Sequence, residues 1–135
     1  MPYTLSQFKE VLDGLGYNLG PDGLNGNNGN ALDAYTQAAI QELQAQHGLP
    51  TTGKLDLATE KLAQTLVRSL QHDLNLAISA KLPITDFYGP RMVQAVKTFQ
   101  RNFGLPITGV ASFTVRQRLA QVVGKPTGKA AIALA

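Results

Sequence analysis

Apolar residues recur at helical spacing over Leu5, Phe8, Leu12 and Leu15, which predicts an amphipathic helix with one buried stripe. Thr4 is placed to cap it, and Gln7 three residues on completes a capping box. Gly14 and Gly16 stop it, since glycine tolerates the left-handed conformation that closes a helix. From Asn18 to Asn30 the chain reads NLGPDGLNGNNGN, a run of turn formers that predicts a loop without regular structure. A second helix is expected from Asp33 to His47, with Leu32, Tyr35, Ala39, Ile40 and Leu43 available for burial. Gly48 ends it, and GLPTTGKLD is a turn before a new N-cap at Asp56.

Between Lys54 and Leu82 there is neither glycine nor proline. Ala63, Val67, Leu70, Leu74 and Ala77 form a stripe that Leu62, Leu66 and Ile78 widen. This predicts one helix from Asp56 to Ser79, about 36 Å long at 1.5 Å per residue, with no flexible linker inside it. Leu82 to Asp86 reads as extended or turn, and Pro90 suits a helix start. Met92, Val96, Phe99 and Phe103 then form a buried stripe, Gly104 stops the helix, and a last helix is expected from Ser112 to Val123. The remaining tail, GKPTGKAAIALA, is expected to be loosely ordered.

Two stretches of this pattern are copies of each other. At an offset of fifty-six residues Ala39, Gln44, Gly48, Leu49, Pro50, Thr52 and Gly53 recur as Ala95, Gln100, Gly104, Leu105, Pro106, Thr108 and Gly109. Ile40 and Leu43 return as Val96 and Phe99. A repeat of this length means that each copy is one structural unit with the same turns in the same places. The expected fold is therefore all-α, two tandem three-helix units sharing a long central helix. Residues 1–64 are expected to form the first unit, 65–123 the second and 124–135 a C-terminal tail.

The second copy carries Val67, Leu70, Gln71 and Leu74, then Asp86, Tyr88 and Gly89, then Ala95, Val96, Phe99 and Gln100, then GLPITG. The first carries Leu5, Phe8 and Leu12, Leu15 to Tyr17, Thr36, Ala39, Ile40, Leu43 and Gln44, then GLPTTG with Asp56 and Thr59. This phrase resembles that of the peptidoglycan-binding domain-like family, small three-helix modules attached to cell-wall amidases and other lytic enzymes. The resemblance runs from about Leu5 to Val122. It implies a ligand groove lined by the loop after the first helix of a unit and the start of the second.

Several departures fall on that surface. The first unit has a loop six residues longer, and its Asp33 stands where the family has the glycine matched by Gly89. The second has Met92 in place of threonine and Ser112 in place of aspartate.

A glycan-peptide polymer presents hydroxyls, amides and carboxylates, so its reader needs short polar groups beside an aromatic or apolar floor. Candidate ligand-binding residues are Tyr17, Asp22, Asn25, Tyr35 and Thr36 in the first unit, with Asn27 and Asn28 beside them. In the second they are Asp86, Phe87, Tyr88 and Arg91, the last able to grip a peptide carboxylate. The same residue types also serve a turn-rich loop on structural grounds alone. Gln44 and Gln100 read as internal bonding groups or helix-surface residues.

Composition narrows the chemistry. The 135 residues are 44% hydrophobic and contain no cysteine, enough for a packed core but without disulfides or thiolate metal sites. His47 and His72 are isolated, and the loop from Asp22 to Asn30 lacks the spacing of a calcium loop, so no metal and no cofactor are expected. No nucleophile stands with a partnered histidine and no carboxylate pair suits glycoside cleavage; a non-enzymatic binding protein is expected. No apolar run approaches the roughly 20 residues of a membrane span, and MPYTLSQFKEVL does not read as a secretory signal.

The net charge of +3 is divided unevenly. Residues 1–64 hold three lysines against seven carboxylates, a net −4, and residues 65–135 hold nine cations against two carboxylates, a net +7. Opposite charges help two halves pack, or the basic half meets an anionic partner, a protein among them. Nucleic acid is not expected: Arg68, Lys97, Arg101, Arg116 and Arg118 are not interleaved with exposed aromatics, because Phe99 and Phe103 belong to the core stripe.

The leading expectation is a tandem peptidoglycan-binding protein, found at the cell wall. The alternative is an intracellular or particle-borne protein–protein interaction or structural module that keeps the fold without glycan binding. A phage or injection-device component would join the two, reaching the wall without a signal peptide.

Overall fold

A computed structural model describes residues 2–125. The tail expected to be loosely ordered lies, from residue 126 on, outside the described residues. Six helices follow one another: α1 (Leu5–Gly14), α2 (Gly23–Gly26), α3 (Ala34–Gln46), α4 (Leu57–Ile78), α5 (Pro90–Asn102) and α6 (Phe113–Val122). The described residues contain no strand, and the chain is all-α as the pattern predicts.

The caps stand where the sequence puts them. Thr4 accepts from the Gln7 amide and the Gln7 side chain accepts from the Thr4 amide, the full capping box. Asp33, Asp56 and Ser112 cap α3, α4 and α6 through the amides of Thr36, Thr59 and Val115. The unbroken helix expected from Asp56 to Ser79 is α4, which has those two residues as its caps. One expectation is corrected. The loop from Asn18 to Asn30 is not wholly irregular, because Gly23–Gly26 closes a single helical turn.

Each part of the repeated phrase has a mechanical reason. Leu49 N donates to Gln44 O at 2.9 Å and Leu105 N to Gln100 O at 2.8 Å, the backbone closure of a Schellman motif around Gly48 and Gly104. Pro then leads into a turn whose glycines, Gly53 and Gly109, lie at φ 70° and 75°. The turn is held from inside by the glutamine one helical turn earlier. Gln44 Oε1 accepts from Gly53 N at 3.0 Å, while its Nε2 donates to the hydroxyls of Thr52 (2.9 Å) and Thr59 (2.8 Å). Gln100 Oε1 accepts from the amides of Thr108 (2.9 Å) and Gly109 (3.0 Å), and its Nε2 donates to the Thr108 hydroxyl at 3.0 Å. Both side chains are buried. They are the internal bonding groups that the sequence allowed.

The two units share one core. Phe8, Leu12, Ile40 and Leu43 from the first continue through Ala63, Val67 and Leu70 of α4 into Leu74, Val96, Phe99 and Leu119 of the second. The units are also locked face to face. The ring of Tyr88 lies against Gly14, where a Cβ would fall 2.3 Å from Tyr88 Cγ, and the Tyr88 hydroxyl donates to Gly109 O at 2.7 Å. Ala111 N donates to Gly14 O at 2.8 Å. Arg116 donates to Leu15 O at 2.9 Å and to the Tyr17 hydroxyl at 2.9 Å. His47 of the first unit meets the Phe113 ring of the second at 6.2 Å between centroids.

Two outcomes follow. Gln100→Leu keeps the size of the side chain but leaves the Thr108 and Gly109 amides without an acceptor, so urea unfolding should show a loss of about 2–4 kcal/mol. His47 Nε2 is buried without a hydrogen-bond partner, and burial, followed by the charge of Arg116, pushes the imidazole down to about 4. A histidine kept neutral in the folded state binds fewer protons there than when unfolded. Stability should therefore be complete above pH 6.5 and fall as the pH drops from 6.5 toward 4. His47→Gln should flatten that part of a thermal-melt series measured against pH.

Candidate functional site

The second unit carries a groove between the end of α4 and the start of α5. Ile78, Ala80 and Leu82 form one wall, Pro90, Arg91, Gln94, Ala95 and Thr98 the other, and the space measures about 430 Å³. Its shape starts from the way α4 ends. Ser79 and Lys81 both take left-handed backbone (φ 54° and 56°), which L-residues adopt at a cost, and the chain thereby folds back along α4. Asn75 secures the return, donating to Leu82 O at 3.0 Å and accepting from Leu82 N at 2.6 Å. Gln71 does the same one turn earlier, accepting from Thr85 N at 2.7 Å and donating to the Thr85 hydroxyl at 2.9 Å and Phe87 O at 3.2 Å.

The segment that delivers α5 is gripped on its other side. Arg68 Nε meets Asp86 Oδ1 at 2.5 Å, and this hydrogen bond, against the opposing effect of burial, holds the Asp86 carboxyl below the usual carboxylate range. The Tyr3 hydroxyl donates to Asp86 O at 2.5 Å, and the Tyr3 ring meets Phe87 edge-on at 5.6 Å. Pro90 then opens α5 without a side-chain cap. Arg91, exposed at the second position of the helix, reaches across the mouth of the groove to Lys81 O at 3.2 Å. The result is an apolar floor, an amide and a hydroxyl on one wall, and one cation, Arg91, at the rim. Such a site suits a short ligand with an apolar body and a carboxylate.

The nine residues singled out from sequence separate into three places. Arg91 lines the groove. Asp86, Phe87 and Tyr88 stand behind it and face the first unit: Asp86 and Tyr88 are buried, and Phe87 is half-buried. Burial raises the Tyr88 phenol above its ordinary range. Tyr17 is buried as well, donating to Gln46 Oε1 at 2.5 Å beneath the Arg116 guanidinium, and burial raises its phenol too. Thr36 is fully buried under the long loop. There Asn27 Nδ2 donates to Thr36 Oγ1, Asp33 Oδ1 and Leu19 O, all within 3.2 Å, and Asn27 Oδ1 accepts from Lys9 Nζ at 2.7 Å. Asp22, Asn25 and Tyr35 remain on the surface of the first unit.

Sequence reasoning missed Ile78, Ala80, Leu82, Gln94 and Thr98. Nothing local marks them, because the groove exists through two left-handed residues that are not glycines. It also missed that Lys9 occupies the place of Gln71, sixty-two residues earlier. Both are buried and both tie the loop after the first helix. A lysine reaching Asn27 serves the six extra residues of the first loop as the glutamine serves the shorter second loop. Among the described residues no group of three or more His, Cys, Asp or Glu side chains could hold a metal ion. None of their helices is long and apolar enough to cross a membrane.

Comparison with known proteins agrees with this doubling. The family model described as "Putative peptidoglycan binding domain" matches twice, over residues 4–62 and 63–119. A protein of Synechococcus elongatus described as "Putative OxPP cycle protein OpcA" is 37% identical over 75 residues, 55% of this chain. The match spans only 15% of that protein's length. No solved structure matches.

The loop that shapes the groove stores backbone strain that glycine would relieve. Ser79→Gly and Lys81→Gly should each raise stability by about 0.5–1 kcal/mol in urea unfolding, as expected where a left-handed residue loses its Cβ.

Proposed function

The chain belongs to the peptidoglycan-binding domain family in both of its halves, and from that premise we propose that it is a non-catalytic module that binds bacterial peptidoglycan through the groove of its second unit. Residues 1–64 and 65–123 are its two units in this reading. The observation that carries it is the groove itself, open between α4 and α5 with Arg91 fixed at its rim. A stem peptide offers small apolar side chains and a carboxylate. The Ile78, Leu82 and Ala95 side chains suit the first, and the Arg91 guanidinium suits the second. No group in the groove is arranged as a nucleophile with its base, so the ligand would be held and left intact.

One observation favours a different reading. Tyr17, Thr36, Asp86 and Tyr88 spend their polar atoms on packing within and between the units. A fold held together by these groups suits a module that docks onto another protein as well as one that reads a glycan.

Retention on purified, protein-free sacculi at moderate salt tests the first reading. The wild-type chain should be retained, and Arg91→Ala should lower retention about tenfold, the loss of one charge-assisted contact of roughly 1.4 kcal/mol or more. Absence of retention together with recovery of a stoichiometric protein partner from the native cell would establish the second reading instead.

A further inference from the structure

The first unit differs from the second at the position of Arg91. At the second position of α3, fifty-six residues before Arg91, stands Tyr35. Arg91 bonds Lys81 O across the mouth of the groove, and the space behind it stays open. Tyr35 instead lies down on the chain. Its ring atoms come within 3.3–3.6 Å of where a Cβ on Gly20 would sit, so the ring packs directly on glycine backbone. Gly20 has φ 118°, a conformation that side-chain-bearing residues rarely adopt. The aromatic ring thus covers the glycine turn and leaves part of itself exposed.

That surface is exposed and firmly supported. Tyr35 is 46% exposed and Leu32, three residues before it, 37%. Below, the Asn18 carboxamide accepts from Gly20 N at 2.9 Å, and Gly23 N donates to Gly20 O at 3.0 Å, closing the turn under the ring. Asn27 ties Leu19 O to the Asp33 cap of α3, so the glycine turn and the helix carrying Tyr35 are joined on both sides. Asn18 and Asp22, two residues before and after Gly20 in the chain, are exposed.

We propose that this Tyr35 surface is a saccharide-stacking platform, so that the first unit takes the sugar rings of the polymer while the groove of the second takes its peptide. The chemistry is that of a pyranose. The axial C–H face of the sugar packs on an aromatic ring, whose apolar body and polar tip fit an amphipathic ligand. The equatorial hydroxyls and acetamido group at its rim need short donors and acceptors, and the exposed Asn18 and Asp22, two residues either side of the supporting Gly20, carry such groups. The supporting turn keeps the ring in place before the ligand arrives, which lowers the ordering cost of binding. The proposal deepens the peptidoglycan reading and rests on it for the identity of the polymer.

The test uses the full chain and two soluble probes, a chito-oligosaccharide of four N-acetylglucosamine units and a stem peptide with a free carboxylate, each titrated by NMR. The sugar should perturb Tyr35, Gly20 and their neighbours. Tyr35→Ala should weaken its binding at least tenfold, Tyr35→Phe should retain it within about threefold, and Arg91→Ala should leave it unchanged. The peptide should show the converse, sensitive to Arg91→Ala and indifferent to Tyr35→Ala. No response to the sugar, or an equal response in Tyr35→Ala, overturns the platform even where sacculi retain the chain. A response to the sugar at Tyr35 by a chain that sacculi do not retain upholds the platform and removes the peptidoglycan reading alone.

Discussion

One buried carboxamide in each unit decides what the rest of the structure can do. A helix that must end, turn sharply and hand over to another helix exposes backbone amides in the interior, where an unpaired donor is costly. Gln44 and Gln100 meet those donors from below, and the same side chains turn their own amide hydrogens toward threonine hydroxyls. With both ends of the carboxamide engaged, the turn can be short and the two helices it joins can lie close. The repeated Thr-Gly is the other half of this device. Threonine provides the hydroxyl, and glycine provides a backbone that can point its amide inward at positive φ.

Because the turns are satisfied internally, the polar groups elsewhere are free to join the units to each other. Tyr88 lies on Gly14, Tyr3 on the segment before α5, and Arg116 on the end of α1. The acidic first half and the basic second half meet through a few specific bonds rather than through a general attraction. Most of those bonds end on a backbone carbonyl, which fixes geometry independently of charge. The contact also explains why residues that look like ligand readers in the sequence are buried. A tyrosine serves equally well under a glycine of a neighbouring helix and under a bound ligand.

The fold was legible because it is written in periodicity and punctuation. The stripe from Ala63 to Ala77, the caps Thr4, Asp33, Asp56 and Ser112, and the glycines that end α3 and α5 are local signals. Local signals are what sequence reading detects. Of the residues that line the groove, sequence reading had singled out only Arg91 as a ligand contact. The rest of the groove depends on left-handed backbone at Ser79 and Lys81, residues with no special preference for it, imposed by the Asn75 and Gln71 side chains some residues away. The exchange of Lys9 for Gln71 was hidden for a similar reason. Its meaning lies in Asn27, eighteen residues on. The single turn of α2 escaped because glycine and asparagine disfavour helix on average, and tertiary packing overrode that weak preference.

The continuity of α4 has a further consequence. A helix joins its two ends by rotation as well as by distance, about 100° and 1.5 Å for every residue. The bearing of the first unit on the second is thereby set by the number of residues between Leu57 and Ile78, together with the contacts that Tyr88, Tyr3 and Arg116 make across the seam. A one-residue insertion there would turn the α4 residues on one side of it by about 100° relative to those on the other, so the shared core and the contacts between the units could not both be kept. The length of that helix is in this sense an angular coordinate of the fold.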